Sequence, residues 1–485
     1  MHEREDRFHS PSLRSSLERG RANRRRLLQR SALAGAGLAA APWLARMPSR
    51  AAAQEIERTP STATVDGTLR VLLKDDFHPD HNAFMRAELE AYAKLNGWPI
   101  EITDVAGYQG GGDLNQVLLG SVQAGNPPDL LIQDQGVRNY VTLGVVQPVT
   151  DIVNEMIELY GEPIFGARLD SELDGEWYAV PFFTRAGGMY ARQDIFDEFG
   201  LDVDADTETY EKLRDAALAV SDPAANVWGW GMTVNRSGDG QALVQNVLYR
   251  YGGHVQDETG ELVTFNSPET IAAMEWLAET YTAAEYADML PPGVLSWTDT
   301  NNNEAFLASQ TAITANAGTV YAKAVLDDVP FWENIVYLPN PKRITDDTRI
   351  DFLSAGMKFY LITDAVNPEA SYDVMRHFLT LPVQEEIWRI STAYALPAYQ
   401  TGWDNPIITE DPNSVRGREI ALTETDFTGL RWPGPENEAI GSIGAGVFFT
   451  DLMSEIIQGR PAAEVVADYH DQFVQIYQDF GLQGA

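Results

Sequence analysis

Hydrophobic positions near the start of the folded part of the chain alternate between short continuous runs and helical spacing. An apolar run at 69–73, in "TLRVLLKDDF", has the length and branching of a buried strand. The next segment, "DHNAFMRAELEAYAKLNG", repeats apolar residues at helical spacing and ends at Gly97, a helix C-cap signal. "WPIEITDVAG", "GGGDLNQVLLGSVQAGN" and "PPDLLIQDQG" then indicate strand, helix and strand. This alternation predicts an α/β fold with a parallel sheet covered by helices.

The strand–helix pattern is interrupted near residue 183 and resumes after 355. Between these points, "NSPETIAAMEWLAETYTAAE" predicts a helix with Ser267 as its N-cap and Pro268 at its first helical position. Residues 397–440 are rich in Pro, Gly and Trp and predict a long interior loop. Long ordered loops are usually functional.

The first 53 residues differ from the rest of the chain. They contain 11 Arg, no Lys and four acidic residues, which give a net charge of about +7. Arg24-Arg25-Arg26 precede two leucines, a short apolar run and Ala51-Ala52-Ala53. This order is typical of a twin-arginine export signal, so we expect residues 1–53 to be a signal peptide and 54–66 to be a flexible tail. A basic amphipathic anchor helix is the alternative.

Composition excludes several classes of function. The 485 residues contain no cysteine, so disulfides, thiolate nucleophiles and cysteine-ligated zinc are impossible. The net charge of −36 argues against a nucleic-acid partner. An acid excess of this size is explained either by adaptation to salty surroundings or by binding of cationic ligands.

Few segments have the pattern of a catalytic or metal site. His78, Asp80 and His81 could bind a metal, but their spacing fits no zinc template, and helix capping by Asp80 is the favoured explanation. "YQGGGD" at 108–113 could cradle an anion, but a turn that requires positive φ is a more frequent use of such glycines. No hydrolase or metalloprotease motif occurs. We therefore expect no enzyme activity, no metal and no cofactor.

Aromatic residues in predicted loops suggest a different chemistry. Aromatic rings stack on the apolar faces of sugars, while nearby Asp, Asn, Gln and Arg side chains bind the hydroxyls. For any single ring, packing in the core or between domains is an equally good explanation. The aromatic residues concerned are Trp177, Tyr178, Phe182, Phe183, Trp228, Trp230, Trp297, Tyr321, Trp403 and Trp432.

Six segments in order resemble the family 1 extracellular solute-binding proteins of ABC importers, the group that contains the maltodextrin-binding protein. The most distinctive is "LDGEWYAVPFFTRAGGMYARQDIFDEFGL" at 173–201, with its Tyr-x-x-Pro strand and its helix closed by Phe-Gly-Leu. The others are "PDLLIQDQGVRNYVTLGVVQPVTDIV", "RYGGHVQDETGELVTFNSPETIAAMEWL", "EAFLASQTAITANAG", "FLSAGMKFYLITDAVNPEASYDVMRHFL" and "IIQGRPAAEVVADY". The resemblance that they carry extends over most of the chain after the leader.

The resemblance implies the periplasmic binding protein fold, with two α/β lobes, each discontinuous in sequence, and a hinge. Lobe 1 would comprise 67–183 plus 356–396, and lobe 2 would comprise 184–355 plus 397–485. The ligand would lie in the cleft between them, where open α/β sheets also favour binding. Closure would be a hinge motion around the ligand.

The resemblance also implies a set of ligand-contacting positions, each at the end of a strand or in a loop where the family binds its solute. Many sugar-binding members have Trp in the loop that here reads Thr319-Val320-Tyr321, a departure that argues against maltodextrin-like stacking. The expected contacts are Phe77, His78, Asp134, Gln135, Thr184, Arg185, Trp230, Asn316, Gly318, Tyr321, Arg431 and Trp432.

The function implied is capture of a sugar or oligosaccharide in the periplasm, by a monomer that delivers it to a membrane permease. Two alternatives keep the fold and change the ligand. A cationic solute such as a polyamine would suit an acidic cleft, whereas convergence of Arg185 and Arg431 would suit a carboxylate or phosphate. An exported glycan-processing enzyme is the third alternative, and it requires two carboxylates facing each other across the cleft.

Overall fold

The computed structural model describes residues 56–106, 112–423 and 425–485. The export signal expected over 1–53 lies outside these ranges, as does most of the glycine-rich YQGGGD segment.

The described chain contains short strands, numbered here in chain order. They are β1 (Leu69–Asp75), β2 (Ile100–Ala106), β3 (Leu130–Gln133), β4 (Glu172–Leu173), β5 (Glu176–Trp177), β6 (Val180–Pro181), β7 (Phe183–Arg185), β8 (Gly187–Arg192), β9 (Trp228–Trp230), β10 (Thr311–Ala317), β11 (Ile335–Leu338), β12 (Ser354–Ala355), β13 (Lys358–Leu361) and β14 (Leu396–Pro397).

Helices separate most of these strands. They are α1 (Pro79–Asn96), α2 (Gly112–Gln123), α3 (Val137–Thr142), α4 (Thr150–Tyr160), α5 (Phe165–Leu169), α6 (Gln193–Phe199), α7 (Tyr210–Val220), α8 (Gly238–Arg250), α9 (Pro268–Thr282), α10 (Asn301–Leu307), α11 (Thr319–Leu326), α12 (Pro368–Phe378), α13 (Leu381–Ile390), α14 (Pro406–Thr409), α15 (Pro412–Ala421), α16 (Glu438–Ala445), α17 (Phe448–Ile457) and α18 (Ala462–Asp479). Within the described residues, no single helix is long and apolar enough to cross a membrane. The bent pair α16 and α17, at 54° to each other, meets that measure only when the two are taken together.

The first sheet has the strand order β2-β1-β3-β13-β6. Strand β1 pairs in parallel with β2 and with β3, which confirms the parallel sheet predicted from the hydrophobic pattern. Gly97 ends α1 with φ of 69°, in the left-handed region, as its C-cap role requires. The returning strand β13 runs antiparallel to β3 and to β6, which no sequence signal predicted. Strands far apart in the chain therefore share one sheet and one core.

The second sheet has the strand order β11-β8-β10-β9. Strand β8 runs antiparallel to both β10 and β11, while β10 runs parallel to β9. Helices α7, α8, α9, α17 and α18 contribute buried side chains to the core around this sheet. Ser267 accepts a hydrogen bond from the backbone N–H of Thr270 and Pro268 opens α9, as the sequence predicted.

A third, small sheet joins the two large ones. Its central strand β7 pairs with β12 on one side and β14 on the other, both antiparallel. The chain leaves the first sheet at β6, passes through β7 and enters the second sheet at β8. It returns through β12 to β13 of the first sheet. Three segments distant in sequence are thus hydrogen-bonded together where the chain passes between the sheets.

The long loop predicted over 397–440 is wrong, because this region contains α14, α15 and short 3-10 turns. Trp403 is buried, and residues 398–420 contribute five buried side chains to the core around the first sheet, although we expected the whole of 397–485 in lobe 2. Asn413 also donates to the carbonyl of Ile335 in β11. The segment therefore packs against both large sheets.

Residues 56–66 lie against the first core, which corrects the expectation of a flexible tail for this part of the chain. Arg58 makes two hydrogen bonds to the carboxylate of Glu88, at 2.6 and 2.8 Å, and Glu88 is 3% exposed. His377 contacts the same carboxylate at 2.5 Å and stacks on Tyr92 with ring centroids 4.2 Å apart. Burial raises the pKa of Glu88, but His377 and Arg58 outweigh it, so the pKa lies below its usual value.

We expect Arg58→Ala to lower the free energy of unfolding by about 1–3 kcal/mol, because it removes one partner from a buried carboxylate. Urea denaturation at neutral pH measures the change. The control is Arg168→Ala, which breaks an exposed ion pair with Glu172 and is expected to cost about 0.5 kcal/mol or less. Equal losses in the two variants would mean that Arg58 does not anchor the segment.

Candidate functional site

A cleft of about 610 Å³, part of it open to solvent, lies between the two large sheets. Its first wall comes from the carboxyl ends of β1 and β3, from β7 and from the segment before β14. Its second wall comes from the carboxyl end of β10 and from the starts of α8, α10 and α11. The residues that line it are Lys74, Asp76, Asp134, Arg185, Asp239, Asp299, Asn303, Asn316, Ala317, Thr319 and Tyr394.

The first wall is organised around Asp134, which directly follows β3. One of its carboxylate oxygens accepts hydrogen bonds from Lys74 Nζ at 2.6 Å and from Arg185 Nη1 at 2.7 Å. Lys358, on the neighbouring strand β13, donates to the backbone carbonyl of Asp134 at 2.8 Å. Four elements of the fold therefore meet at this one residue.

The charges of this cluster stabilise one another. Burial acts to raise the pKa of Asp134, but the charges of Arg185 and Lys74 outweigh it and hold that pKa far below its usual range. Burial acts to lower the pKa of Arg185, and the carboxylate of Asp134 more than compensates. Burial lowers the pKa of Lys358 to about 8. Arg185 and Asp134 are therefore both charged at neutral pH.

Asp76 and Tyr394 form the other part of the first wall. The Tyr394 hydroxyl donates to both carboxylate oxygens of Asp76, at 2.8 and 3.0 Å. The backbone N–H of Phe77 donates to the same carboxylate at 2.7 Å, and the Phe77 ring packs edge-on against Tyr394. Burial, followed by the charge of Asp76, raises the pKa of Tyr394 far above its usual value, so the hydroxyl keeps its proton.

The second wall carries carboxylates and amides. Asp239 Oδ2 accepts from Asn302 Nδ2 at 2.7 Å and from Asn316 Nδ2 at 3.2 Å. Both oxygens of Asp299 accept backbone N–H groups at the start of α8, from Gly238 at 3.1 Å and from Asp239 at 2.8 Å. Thr319 donates to Asn316 Oδ1 at 2.9 Å and Asn316 donates to Asn303 Oδ1, so the amides form one network.

Asp239 is the most perturbed carboxyl group of this wall. Burial and then the neighbouring charge of Asp299 raise its pKa to about 7, against a smaller opposing effect of the Asn302 hydrogen bond. No Lys or Arg among the described residues forms an ion pair with Asp239 or Asp299. In the described part of the chain, the two walls therefore differ, since cations neutralise the first wall and none neutralises the second.

Three of the twelve predicted contact residues line the cleft: Asp134, Arg185 and Asn316. Gln135, beside Asp134, has its side-chain oxygen held by Asn115 at 3.1 Å and by Tyr140 at 3.3 Å. It therefore supports the first wall from behind.

His78 and Phe77 support the first wall and do not line the cleft. His78 Nδ1 accepts the backbone N–H of Asp80 and caps α1, which makes the histidine, and not Asp80, the capping residue. His81 is buried, with Nδ1 2.8 Å from Ser391 Oγ, so the two imidazoles have different partners. Within the described residues, no group of three or more His, Asp or Glu side chains is arranged to hold a metal.

Thr184, Gly318 and Tyr321 have packing or hydrogen-bonding roles in this structure and are not among the residues that line the cleft. Thr184 is fully buried and donates to the carbonyls of β14. A Cβ on Gly318 would lie 2.5 Å from the Ala393 carbonyl oxygen, so glycine allows this close backbone packing. The buried Tyr321 donates to Asp411 at 2.8 Å.

The remaining three predicted contacts also lie away from the cleft. Trp230 is fully buried in the second core, where its Nε1 donates to the Tyr281 hydroxyl at 2.9 Å. Arg431 forms an ion pair with Glu436, and Trp432 packs against Phe427. These side chains satisfy packing and pairing needs within the second lobe.

The sequence reasoning missed five of the six residues of the second wall and three of the five residues of the first. Lys74 and Asp76 directly follow the predicted first strand, so the rule that ligands bind at strand carboxyl ends could have found them. Asp239 lies in the first turn of α8 and Asp299 lies just before α10, both in polar runs that give no sign that the two side chains meet. Asn303, Thr319 and Tyr394 lie within segments of ordinary helical or loop composition.

Two further contacts join the lobes outside the cleft. His78 Nε2 lies 3.5 Å from a carboxylate oxygen of Asp327, at the end of α11. Arg138 in α3 lies 3.6 Å from Glu436 and 3.8 Å from Glu438, which opens α16. Both pairs connect helices that pack on different sheets.

Known proteins similar to this chain share its architecture. A family model for bacterial extracellular solute-binding proteins matches residues 78–385. An arabinooligosaccharide-binding protein of Halalkalibacterium halodurans is 26% identical over 316 residues, which cover 61% of this chain and 64% of that protein, slightly less than two thirds of its length.

Solved structures are similar over most of the chain. Maltose-bound MalE3 of T. maritima has a TM-score of 0.68 at 17% identity and covers 85% of this chain and 99% of its own. A Thermotoga lettingae solute-binding protein bound with α-D-tagatose has a TM-score of 0.67 at 15% identity and covers 84% and 99%. These likenesses confirm the two-lobe α/β fold.

We expect Asp239→Asn to stabilise the ligand-free protein near pH 8 by about 1–2 kcal/mol, because the folded wild type must hold an ionised Asp239 at that pH. The expected gain is smaller than the full pKa shift would give, since solvent partly screens this half-buried group. The folded state binds this proton more tightly than the unfolded state does. The group therefore favours folding as pH falls from about 7 towards 4 and disfavours it above 7. The advantage of the variant should shrink as the pH falls below 7 and disappear below about pH 4.

Asp299→Asn is the matched comparison for that measurement. It replaces an acceptor of two backbone N–H groups at a helix start and should cost about 1 kcal/mol. Urea denaturation of both variants between pH 5 and pH 8 gives the result. An Asp239→Asn advantage that does not change with pH would contradict a raised pKa.

Proposed function

The chain belongs to the bacterial extracellular solute-binding protein family, and from this premise we propose that it captures a sugar or oligosaccharide and delivers it to the membrane permease of an ABC importer. Binding is non-covalent and requires no cofactor. The observation that carries the proposal is a cleft between two lobes whose walls both present hydrogen-bonding side chains. Sugar hydroxyls donate and accept at once, so they match carboxylates, amides and cationic donors together.

The similar proteins support the ligand class. One is named for arabinooligosaccharide binding, and the two structures described above hold maltose and tagatose. Tyr394 is the one aromatic residue among the described residues that line the cleft. Recognition therefore depends mainly on hydrogen bonds, which favours a small, highly hydroxylated ligand over a long glucan stacked on several rings.

We propose that lobe 1 comprises 67–183 plus 356–396 and lobe 2 comprises 184–355 plus 397–485, with 398–420 packed against both. The three-stranded sheet of β7, β12 and β14 forms the hinge. Arg185, at the end of β7, places a ligand contact on the hinge itself, so ligand binding and lobe closure are coupled there.

The expected export route fits a protein of this family. Residues 1–53 carry the twin-arginine pattern, and we propose that they direct export to the periplasm, where the protein acts as a monomer.

An anionic ligand is the less favoured alternative. Arg185 is already paired with Asp134, and Arg431 is paired with Glu436 away from the cleft, so the two arginines do not converge. The four carboxylates of the cleft would also repel a carboxylate or phosphate.

Isothermal titration against neutral mono- and oligosaccharides and polyols tests the proposal. We expect at least one to bind with a dissociation constant in about the micromolar range or below. Arg185→Ala should weaken that binding about tenfold or more, and Lys74 remains bonded to Asp134 in this variant.

Arg431→Ala is the matched control, since it removes the other predicted arginine contact without altering the lining of the cleft. It should leave the affinity unchanged. Sugar affinity that depends on Arg431 and not on Arg185 would locate the binding site elsewhere. A failure of every carbohydrate to bind would refute the carbohydrate assignment.

A further inference from the structure

We propose that the solute carries an ammonium group in addition to its hydroxyls, and that Asp239 and Asp299 bind this group on the second wall. An amino sugar or an amino polyol has this chemistry. The inference rests on the proposed function, because it narrows the ligand class of the same cleft.

The charges that line the cleft do not balance. Four carboxylates face it and two cations accompany them. Both cations, Lys74 and Arg185, are bonded to one oxygen of Asp134. The first wall therefore has enough positive charge to balance its carboxylates, since Lys358 also donates to the backbone carbonyl of Asp134.

The second wall lacks any such partner among the described residues. Asp239 and Asp299 lie together at the start of α8, and their mutual repulsion opposes ionisation of both. Asp299 is satisfied by two backbone N–H groups. The hydrogen bonds to Asp239 all reach Oδ2, so within the described part of the chain Oδ1 remains available as an acceptor beside the cleft.

The surrounding side chains are placed to hold these carboxylates rather than to neutralise them. Asn302, which is fully buried, and Asn316 both direct their amide N–H groups at Asp239. Amide donors fix the position of a carboxylate while leaving its charge in place. Among the described residues, the second wall therefore holds two fixed carboxyl groups without a cation, opposite a first wall that carries its own cations.

An ammonium group meets this requirement better than a hydroxyl. A hydroxyl would satisfy one acceptor but leave the repulsion between the two carboxylates unchanged. An ammonium group has three donors and a positive charge, and charge-assisted hydrogen bonds are about twice as strong as neutral ones. Its positive charge would also lower the pKa of Asp239 and favour the ionised carboxylate, so binding at neutral pH would release a proton.

Matched pairs of ligands test the inference by titration calorimetry at neutral pH and physiological salt. The pairs are D-glucose with D-glucosamine, D-galactose with D-galactosamine, and D-glucitol with 1-amino-1-deoxy-D-glucitol. Putrescine serves as an amine without hydroxyls. We expect the amino member of at least one pair to bind about tenfold or more tightly than its neutral partner.

Two variants locate the effect. Asp239→Asn should reduce the preference for the amino member to within about threefold of its neutral partner. Asp288→Asn removes the same charge from an exposed position of the second lobe and should leave the preference intact. A preference that survives Asp239→Asn would overturn the role of Asp239.

The remaining outcomes separate this inference from the proposed function. Equal or tighter binding of the neutral members overturns the inference and leaves carbohydrate capture standing. Binding of putrescine without any carbohydrate or amino carbohydrate overturns both in favour of a polyamine carrier. If the protein binds none of these ligands and no member of the wider carbohydrate panel, both the inference and the proposed function are overturned.

Discussion

The ion cluster around Asp134 is the interaction on which the rest of the cleft depends. It joins β1 through Lys74, β7 through Arg185 and β13 through Lys358 to the end of β3. Opposite charges at these distances inside a partly dry cleft hold one another ionised, as the lowered pKa of Asp134 reflects. Because β7 is also the central strand of the crossing sheet, the same cluster fixes the hinge relative to the first lobe.

The second wall is built on a different principle. Its carboxylates are positioned by backbone N–H groups and amide side chains and have no cation among the described residues. A wall of this kind is costly without a ligand, since burial and repulsion raise the pKa of Asp239 to about 7. Carboxyl groups whose pKa is shifted by burial and by a neighbouring charge are commonly found where proteins bind their ligands. The two walls of the cleft therefore differ in their charge balance.

The local features of the fold could be predicted from the local sequence pattern. The run at 69–73, the cap at Gly97 and the N-cap at Ser267 each follow from their immediate neighbours, and the structure confirms them. The antiparallel return of β13 depends on contacts between distant segments, and composition misled at 397–440, where prolines open helices instead of a loop. Trp230 shows why site residues are hard to predict from sequence. A tryptophan buried in the core and a tryptophan that stacks on a sugar have the same local sequence pattern. Asp239, Asp299 and Asn316 lie up to 77 residues apart, and only the second sheet brings them together.

A crystal structure with the tightest-binding carbohydrate or amino carbohydrate would show whether one ligand contacts both walls of the cleft. We expect ligand oxygen or nitrogen atoms within hydrogen-bond distance of Asp134 or Arg185 on the first wall and of Asp239 or Asn316 on the second. A ligand bound outside this cleft, or held by one wall while the other faces only solvent, would contradict this expectation.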